Sequence, residues 1–268
     1  MTGQFTYNEI ILTYEVTGEG SDPILTFHGF GQNAGIFGHL SDAIKPGHRI
    51  YSFNLFFHGS HWPYGDRPLE IHQLTGLFSS FLKKEGIGRF SLAGYSIGAR
   101  LATALVPEFQ DRIMRLYLIA PDGIKTNFWY SLATGSSLTR KWFRNTATNP
   151  GLFLALAEWT GKMGIIHPSA LRFARSQMGN EEKRKKVYYT WMNLRKIFVS
   201  PEQLAGAINK NGIPVIIWLG ENDKIINVKN ISRLTSRLEE LKIVNLSVNH
   251  HQLIDGWISW IRDHPGEL

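Results

Sequence analysis

Cysteine is absent from all 268 residues. That absence excludes disulfides, thiol nucleophiles and cysteine-ligated metal. No apolar run reaches the ~18 residues that a bilayer-spanning helix needs. The glycines form neither a G-x-G-x-x-G nucleotide fingerprint nor a Walker loop, and there is no His-Glu-x-x-His set. The expectation is therefore no cofactor and no catalytic metal. Residues 1–20 alternate polar and apolar side chains without a basic start and a hydrophobic stretch, so a cytoplasmic location is expected. Acidic residues are scarce in one place. Between Lys125 and Val199 there are 13 Lys and Arg against 3 Asp and Glu, an excess of +10, while the remainder has 16 against 19. The net charge of +7 thus belongs to one segment, whose shift in composition marks it as an insertion.

What the chain does contain is the stretch Phe90–Leu101, FSLAGYSIGARL, with Gly94-Tyr95-Ser96-Ile97-Gly98 at its centre. Gly-x-Ser-x-Gly places a serine on a sharp turn between a buried strand and a helix, where a side chain two residues to either side would strike its neighbours. The flanks agree with that reading. Phe90, Leu92 and Ala93 form a buried-strand pattern, and Ile97, Leu101, Ala104 and Leu105 recur at helical spacing. Ser96 is the candidate nucleophile.

Upstream, apolar alternation predicts two short strands that end at Gly18–Pro23, then a buried strand over Pro23–Phe27. That strand opens onto His28-Gly29-Phe30-Gly31-Gln32-Asn33, followed by a helix near Gly35–Ala43. A strand over Arg49–Leu55 precedes a loop holding His58 and His61, and a helix spans Leu69–Glu85. After the serine helix come a strand over Ile113–Ala120, a run of helices without strands (138–146, 151–163, 168–178, 181–198), and a strand over Ile213–Leu219. A helix near Ile231–Leu241, a strand near Ile243–Val248 and a helix over Ile254–Arg262 complete the chain. Strands alternating with helices on both sides of a helical interruption indicate a mostly parallel sheet carrying a lid.

A serine hydroxyl needs a base to take its proton, and the base needs a carboxylate to hold its tautomer and stabilise its charged form. Asp223 follows the strand PVIIWLG, with Glu221 as the fallback, and the His250-His251 pair follows the strand ending at Val248. The order Ser, Asp, His is that of one serine-triad architecture among several. Five segments in this order, HGFGQN, NLFFHGS, GYSIG, LGENDKII and NHHQLID, resemble the α/β-hydrolase superfamily. The resemblance implies an α/β fold with a mostly parallel central sheet flanked by helices and an inserted helical cap. Residues 1–124 and 205–268 would form the core and residues 125–204 the cap. It also implies a Ser-His-Asp serine hydrolase that cleaves an ester or related acyl bond, with backbone N–H groups of Phe30 and Ile97 holding the oxyanion. His251, followed by Gln252-Leu253-Ile254, is similar to the family's histidine turn and is selected as base. His250 is the alternative, with Asn249 before it as a stand-in for a left-handed glycine. Asn54 stands where relatives often carry aspartate. GYSIGAR, with Arg100, also looks like the elbow of a menaquinone-pathway lyase, so C–C cleavage and a non-catalytic receptor are the competing readings.

Lids of this superfamily cover the catalytic edge, and the segment proposed for that place here is cationic and aromatic. It includes Phe128, Trp129, Tyr130, Trp142, Phe143, Phe153, Trp159, Phe173, Tyr188, Tyr189, Trp191 and Phe198, with the run Lys183–Lys186 (KRKK). The plain reading is rings packing helices together and a solvated charged face. The sharper one is a positive potential that gathers an anionic or amphiphilic acyl substrate, or a weak association with a membrane surface. No nucleic-acid partner is expected, because basic residues alone do not form a docking element.

Overall fold

A computed structural model describes residues 1–125, 128–151 and 180–266. Eight strands form one sheet: β1 (Thr2–Tyr7), β2 (Ile10–Thr17), β3 (Asp22–Phe27), β4 (His48–Phe53), β5 (Phe90–Tyr95), β6 (Ile113–Ile119), β7 (Val215–Gly220) and β8 (Leu241–Leu246). Their order is β1-β2-β4-β3-β5-β6-β7-β8. β1 and β2 pair antiparallel, β2 meets β4 antiparallel, and every pairing from β4 to β8 is parallel.

The sequence dictates this arrangement through burial. β5 (FSLAGY) and β7 (VIIWLG) are buried at every position, which a strand covered by helices on both faces requires. Among the described residues β8 is the last strand of the sheet, and it keeps a more exposed pattern with Lys242 and Asn245 exposed. Each fully buried leucine or phenylalanine, such as Leu25, Phe53, Leu92 and Leu118, contributes about 1.5–3 kcal/mol by leaving water. Because β3 to β8 run parallel, the loops that leave their carboxyl ends share one edge of the sheet.

Helices α1 (Leu40–Ala43) and α9 (Leu253–Asp263) pack together, with Trp257 of α9 against Phe37 and against Trp218 of β7 at 6.2 and 5.7 Å between ring centres. A second group comprises α2 (Ile71–Lys84), α3 (Gly98–Phe109), α7 (Pro201–Lys210) and α8 (Val228–Thr235). The helix anticipated over residues 35–43 is instead a 3-10 turn, Ala34–Phe37, and the single turn of α1. Gly35 and Gly38 lower the helical preference there.

By compactness the chain divides into two units. One holds residues 1–63, 69–125 and 196–268, and the other residues 64–68 and 126–195. The second unit contains α4 (Phe128–Gly135), α5 (Ser137–Thr148) and α6 (Glu181–Leu194). Within it the Trp191 ring lies tilted against those of Tyr130 and Phe143, with centroids 5.2 and 5.5 Å apart. Asp66 accepts hydrogen bonds from Tyr188 Oη at 2.7 Å and from the Arg144 guanidinium. Arg195 donates to the Asp66 carbonyl at 2.9 Å. Residues 196–204 group with the sheet, since α7 buries Leu204, Ala205 and Ile208 and packs on α3. All but the first residue of the helix expected over 151–163, the helix expected over 168–178, and Phe153, Trp159 and Phe173 lie outside the described residues.

Candidate active site

Ser96 follows β5 and has φ of +51°, a left-handed conformation that costs a non-glycine residue of order 1–3 kcal/mol. Its neighbours fix it there. The Ser96 N–H donates to Ile119 O of β6 at 2.9 Å, and its carbonyl accepts from Ala99 N and Asp122 N, each at 3.0 Å. The flanking glycines are required by contact rather than by φ. A Cβ at position 94 would stand 2.5 Å from Ala99 Cα, and one at position 98 would stand 2.3 Å from Phe27 O. Arg100, buried in α3, pairs with Asp122 at 2.7 Å and so ties the loop after β6 to the helix that starts at the serine.

Asp223 lies in the turn after β7 with its carboxylate fully buried. Its Oδ1 accepts from the backbone N–H groups of Ile225 and Ile226 at 2.7 and 3.0 Å, and Oδ2 accepts from His250 Nδ1 at 2.6 Å. The opposite ring nitrogen, Nε2, lies 3.1 Å from Ser96 Oγ. The donors are assigned from their partners: a carboxylate only accepts, so Nδ1 carries the proton, Nε2 is bare, and the serine hydroxyl donates to it. Three loops, separated by up to 154 residues of chain, thereby form one hydrogen-bonded series.

The selection of His251 is corrected by this geometry: His250 stands between Ser96 and Asp223, while His251 is exposed. The reason is the phase of the turn. Asn249 has φ of −88° and ψ of 174°, which is extended and not the left-handed conformation anticipated for it. Its Oδ1 accepts from His251 N and Gln252 N at 3.1 and 3.3 Å and starts the 3-10 turn His250–Gln252. Side chains three apart in such a turn share a face. His250 therefore faces inward with Leu253, which is 0% exposed, and His251 faces solvent. The spacing of the inward histidine to its buried leucine is thus three, set by the phase of the turn, whereas the sequence offers Leu253 to both histidines, three residues from one and two from the other. Glu221, the fallback acid, instead accepts from Ser247 Oγ at 2.6 Å on the surface.

Tyr95 occupies a variable position of the Gly-x-Ser-x-Gly pentapeptide, so the motif assigns it no role. Its hydroxyl donates to the carbonyl of His250 at 2.5 Å, and its ring lies 5.3 Å from the imidazole. Burial, with added repulsion from Asp223 and Asp255, pushes the phenol well above its ordinary range, so it remains a donor at any working pH. Gly29 leaves room for this ring, since a Cβ there would stand 2.9 Å from Tyr95 Cδ1. Among the described residues neither the Phe30 nor the Ile97 N–H has a protein acceptor. Ile97 also caps the N-terminus of α3, where the helix dipole favours negative charge. Asn54 uses both ends of its amide, accepting from Ala34 N at 2.7 Å and donating to Thr13 Oγ1 at 3.0 Å.

Comparison with known proteins agrees with this architecture. The family defined by the alpha/beta hydrolase fold matches residues 22–256. Lipase 3 of Moraxella sp. (strain TA144) is 22% identical over 244 residues, covering 90% of this chain and 74% of that protein. A pimeloyl-[acyl-carrier protein] methyl ester esterase of Nitrosomonas europaea is 27% identical over 107 residues, only 40% of this chain and 39% of that protein. Among solved structures, the enol-lactonase of Burkholderia xenovorans LB400 superimposes with a TM-score of 0.66 at 19% identity, covering 98% of both chains. With the match spanning most of its length and the eight-stranded sheet in place, the chain belongs to the alpha/beta hydrolase fold family.

Proposed function

We propose that this protein is a serine hydrolase that cleaves an ester or related acyl bond through a covalent acyl-enzyme. The observation that carries the reading is the unbroken series Ser96 Oγ, His250, Asp223, with contacts of 3.1 and 2.6 Å. Ser96 Oγ attacks the substrate carbonyl carbon while its proton passes to His250 Nε2. Asp223 stabilises the resulting imidazolium and holds its orientation. The carbonyl oxygen becomes an oxyanion, held by the N–H groups of Phe30 and Ile97. Each such donor is worth on the order of a hundredfold to a thousandfold in rate. Collapse expels the alcohol, which takes the proton from His250. Water then attacks the acyl-serine, again giving its proton to His250; on collapse the C–Oγ bond breaks, that proton returns from His250 to Ser96 Oγ, and the carboxylic acid leaves.

The names of relatives, a lipase and a methyl ester esterase, favour an ester as the bond attacked. The helical unit of residues 126–195 is proposed as the cap that selects the acyl group. Its segment's +10 excess favours anionic or amphiphilic substrates. A fluorophosphonate probe tests the reading: covalent labelling of the protein, lost in Ser96→Ala, together with hydrolysis of p-nitrophenyl esters, is expected. A folded protein that neither labels nor hydrolyses any ester of the series overturns it.

A further inference from the structure

Two buried histidines outside the proton-transfer series make contacts that the chemistry above does not use. His28 lies in the loop after β3, and its Nε2 is 3.0 Å from the N–H of Leu55 in the loop after β4. His58 lies in that second loop, and its Nε2 is 2.9 Å from the N–H of Gly31 in the first. The opposite nitrogens meet carbonyls: His28 Nδ1 with Gly29 O at 2.7 Å, His58 Nδ1 with Phe56 O at 3.1 Å. A backbone N–H only donates and a carbonyl only accepts. Each ring must therefore be neutral with its proton on Nδ1, because no other state satisfies both partners. Each loop thus sends one imidazole to hold the other, and the two rings lie 5.5 Å apart.

From this reciprocal pairing we infer that His28 and His58 are positioning residues for the oxyanion donor Phe30. A peptide group is planar, so the C=O of residue 29 and the N–H of residue 30 belong to one rigid unit, and the C=O of 30 and the N–H of 31 to the next. His28 holds the first unit through Gly29 O. His58 holds the second through the Gly31 N–H. Both planes that meet at the Phe30 Cα are anchored, so the direction of the Phe30 N–H is set before any charge forms. Such preorganisation is what makes a backbone dipole effective against a developing oxyanion. The Phe30 ring adds an edge-on contact with His58 at 5.2 Å. Glycine at 31 fits the same role: its φ of +79° suits a residue without a side chain, leaving the loop to be held from outside.

The inference rests on the acyl-transfer reading, and its test separates the two. His58→Gln can present an amide oxygen near the position of Nε2, whereas His58→Phe retains a ring of similar size without an acceptor. Amide hydrogen exchange at Gly31, an exposed residue, reads the clasp independently of activity. The Gly31 amide is expected to be protected in the wild type and in His58→Gln, and to exchange at least tenfold faster in His58→Phe. With a p-nitrophenyl ester, His58→Phe is expected to lose roughly tenfold to a hundredfold in kcat with KM within about threefold, and His58→Gln to recover most of it. Affinity for a trifluoromethyl ketone, which forms a tetrahedral adduct on serine, is expected to fall in parallel with kcat/KM. A folded His58→Phe protein with a protected Gly31 amide, or with wild-type kcat and ketone affinity, overturns the inference. A wild type that neither turns over esters nor binds the ketone overturns the acyl-transfer reading instead, whatever the Gly31 amide does.

Discussion

Replacing Asp223 by asparagine changes one atom and little volume, and the structure dictates which atom. Two backbone donors, Ile225 N and Ile226 N, face Oδ1 at 2.7 and 3.0 Å, and His250 Nδ1 faces Oδ2 at 2.6 Å. The amide oxygen must occupy the Oδ1 position, because the reverse orientation would point NH2 at two N–H groups and leave buried donors unsatisfied. The amide nitrogen then meets His250 and cannot accept. The imidazole responds by carrying its proton on Nε2, so that Nδ1 becomes the acceptor. An Nε2–H opposite Ser96 Oγ cannot remove the hydroxyl proton. The same tautomer exchange in another serine triad lowers kcat by about 10⁴, equivalent to about 5 kcal/mol of transition-state stabilisation at ~1.36 kcal/mol per decade. Stability should change little, because both Oδ1 bonds survive. Steady-state hydrolysis of p-nitrophenyl acetate measures the loss, and long-range ¹⁵N–¹H correlation of the imidazole reads the tautomer. A folded Asp223→Asn protein with more than a tenth of wild-type kcat, or with the His250 proton still on Nδ1, refutes the reasoning.

The two adjacent histidines should separate cleanly: His250→Ala is expected to lose on the order of 10⁴- to 10⁶-fold in kcat, and His251→Ala to stay within about threefold. The reverse order of effects in the same ester assay would contradict the geometry. Acid should loosen the helical unit through Asp66. Burial works to raise its pKa, but hydrogen bonds from Tyr188 and Arg144 and the Arg144 charge outweigh it and hold the carboxyl below the ordinary range. A depressed folded pKa stabilises the fold above the unfolded value and loses that contribution as pH falls through the folded one. Intrinsic fluorescence, to which Trp142 and Trp191 contribute among the eight tryptophans, should therefore show an acid transition below about pH 4 that Asp66→Asn flattens. An identical acid profile in the two proteins would count against the Asp66 contacts.

The parallel strands were legible because burial on both faces leaves near-continuous apolar runs, as in IMRLYLI and VIIWLG. Boundaries failed where local chemistry outweighs periodicity. The helix anticipated over 231–241 is α8, Val228–Thr235, started by Asn227 accepting from Lys229 N at 3.0 Å. The strand after it begins at Leu241, two residues earlier than expected. Helix α7 is not among the expected elements, although Ser200 caps it and Pro201 opens it, a start signal present in the sequence.

Ser96 between two glycines, an aspartate after one strand and a pair of histidines after another were written in linear order, and with them the fold family. Residue types and strand periods suffice for that, because they are local properties. Which histidine faces the serine, which nitrogen carries the proton, and how His28 and His58 hold each other's loops came only with the tertiary structure. Those depend on the phase of a 3-10 turn and on donors and acceptors brought together from distant parts of the chain. A side chain's direction and its hydrogen-bond partners are properties of the packed sheet edge, and no single stretch of sequence contains them.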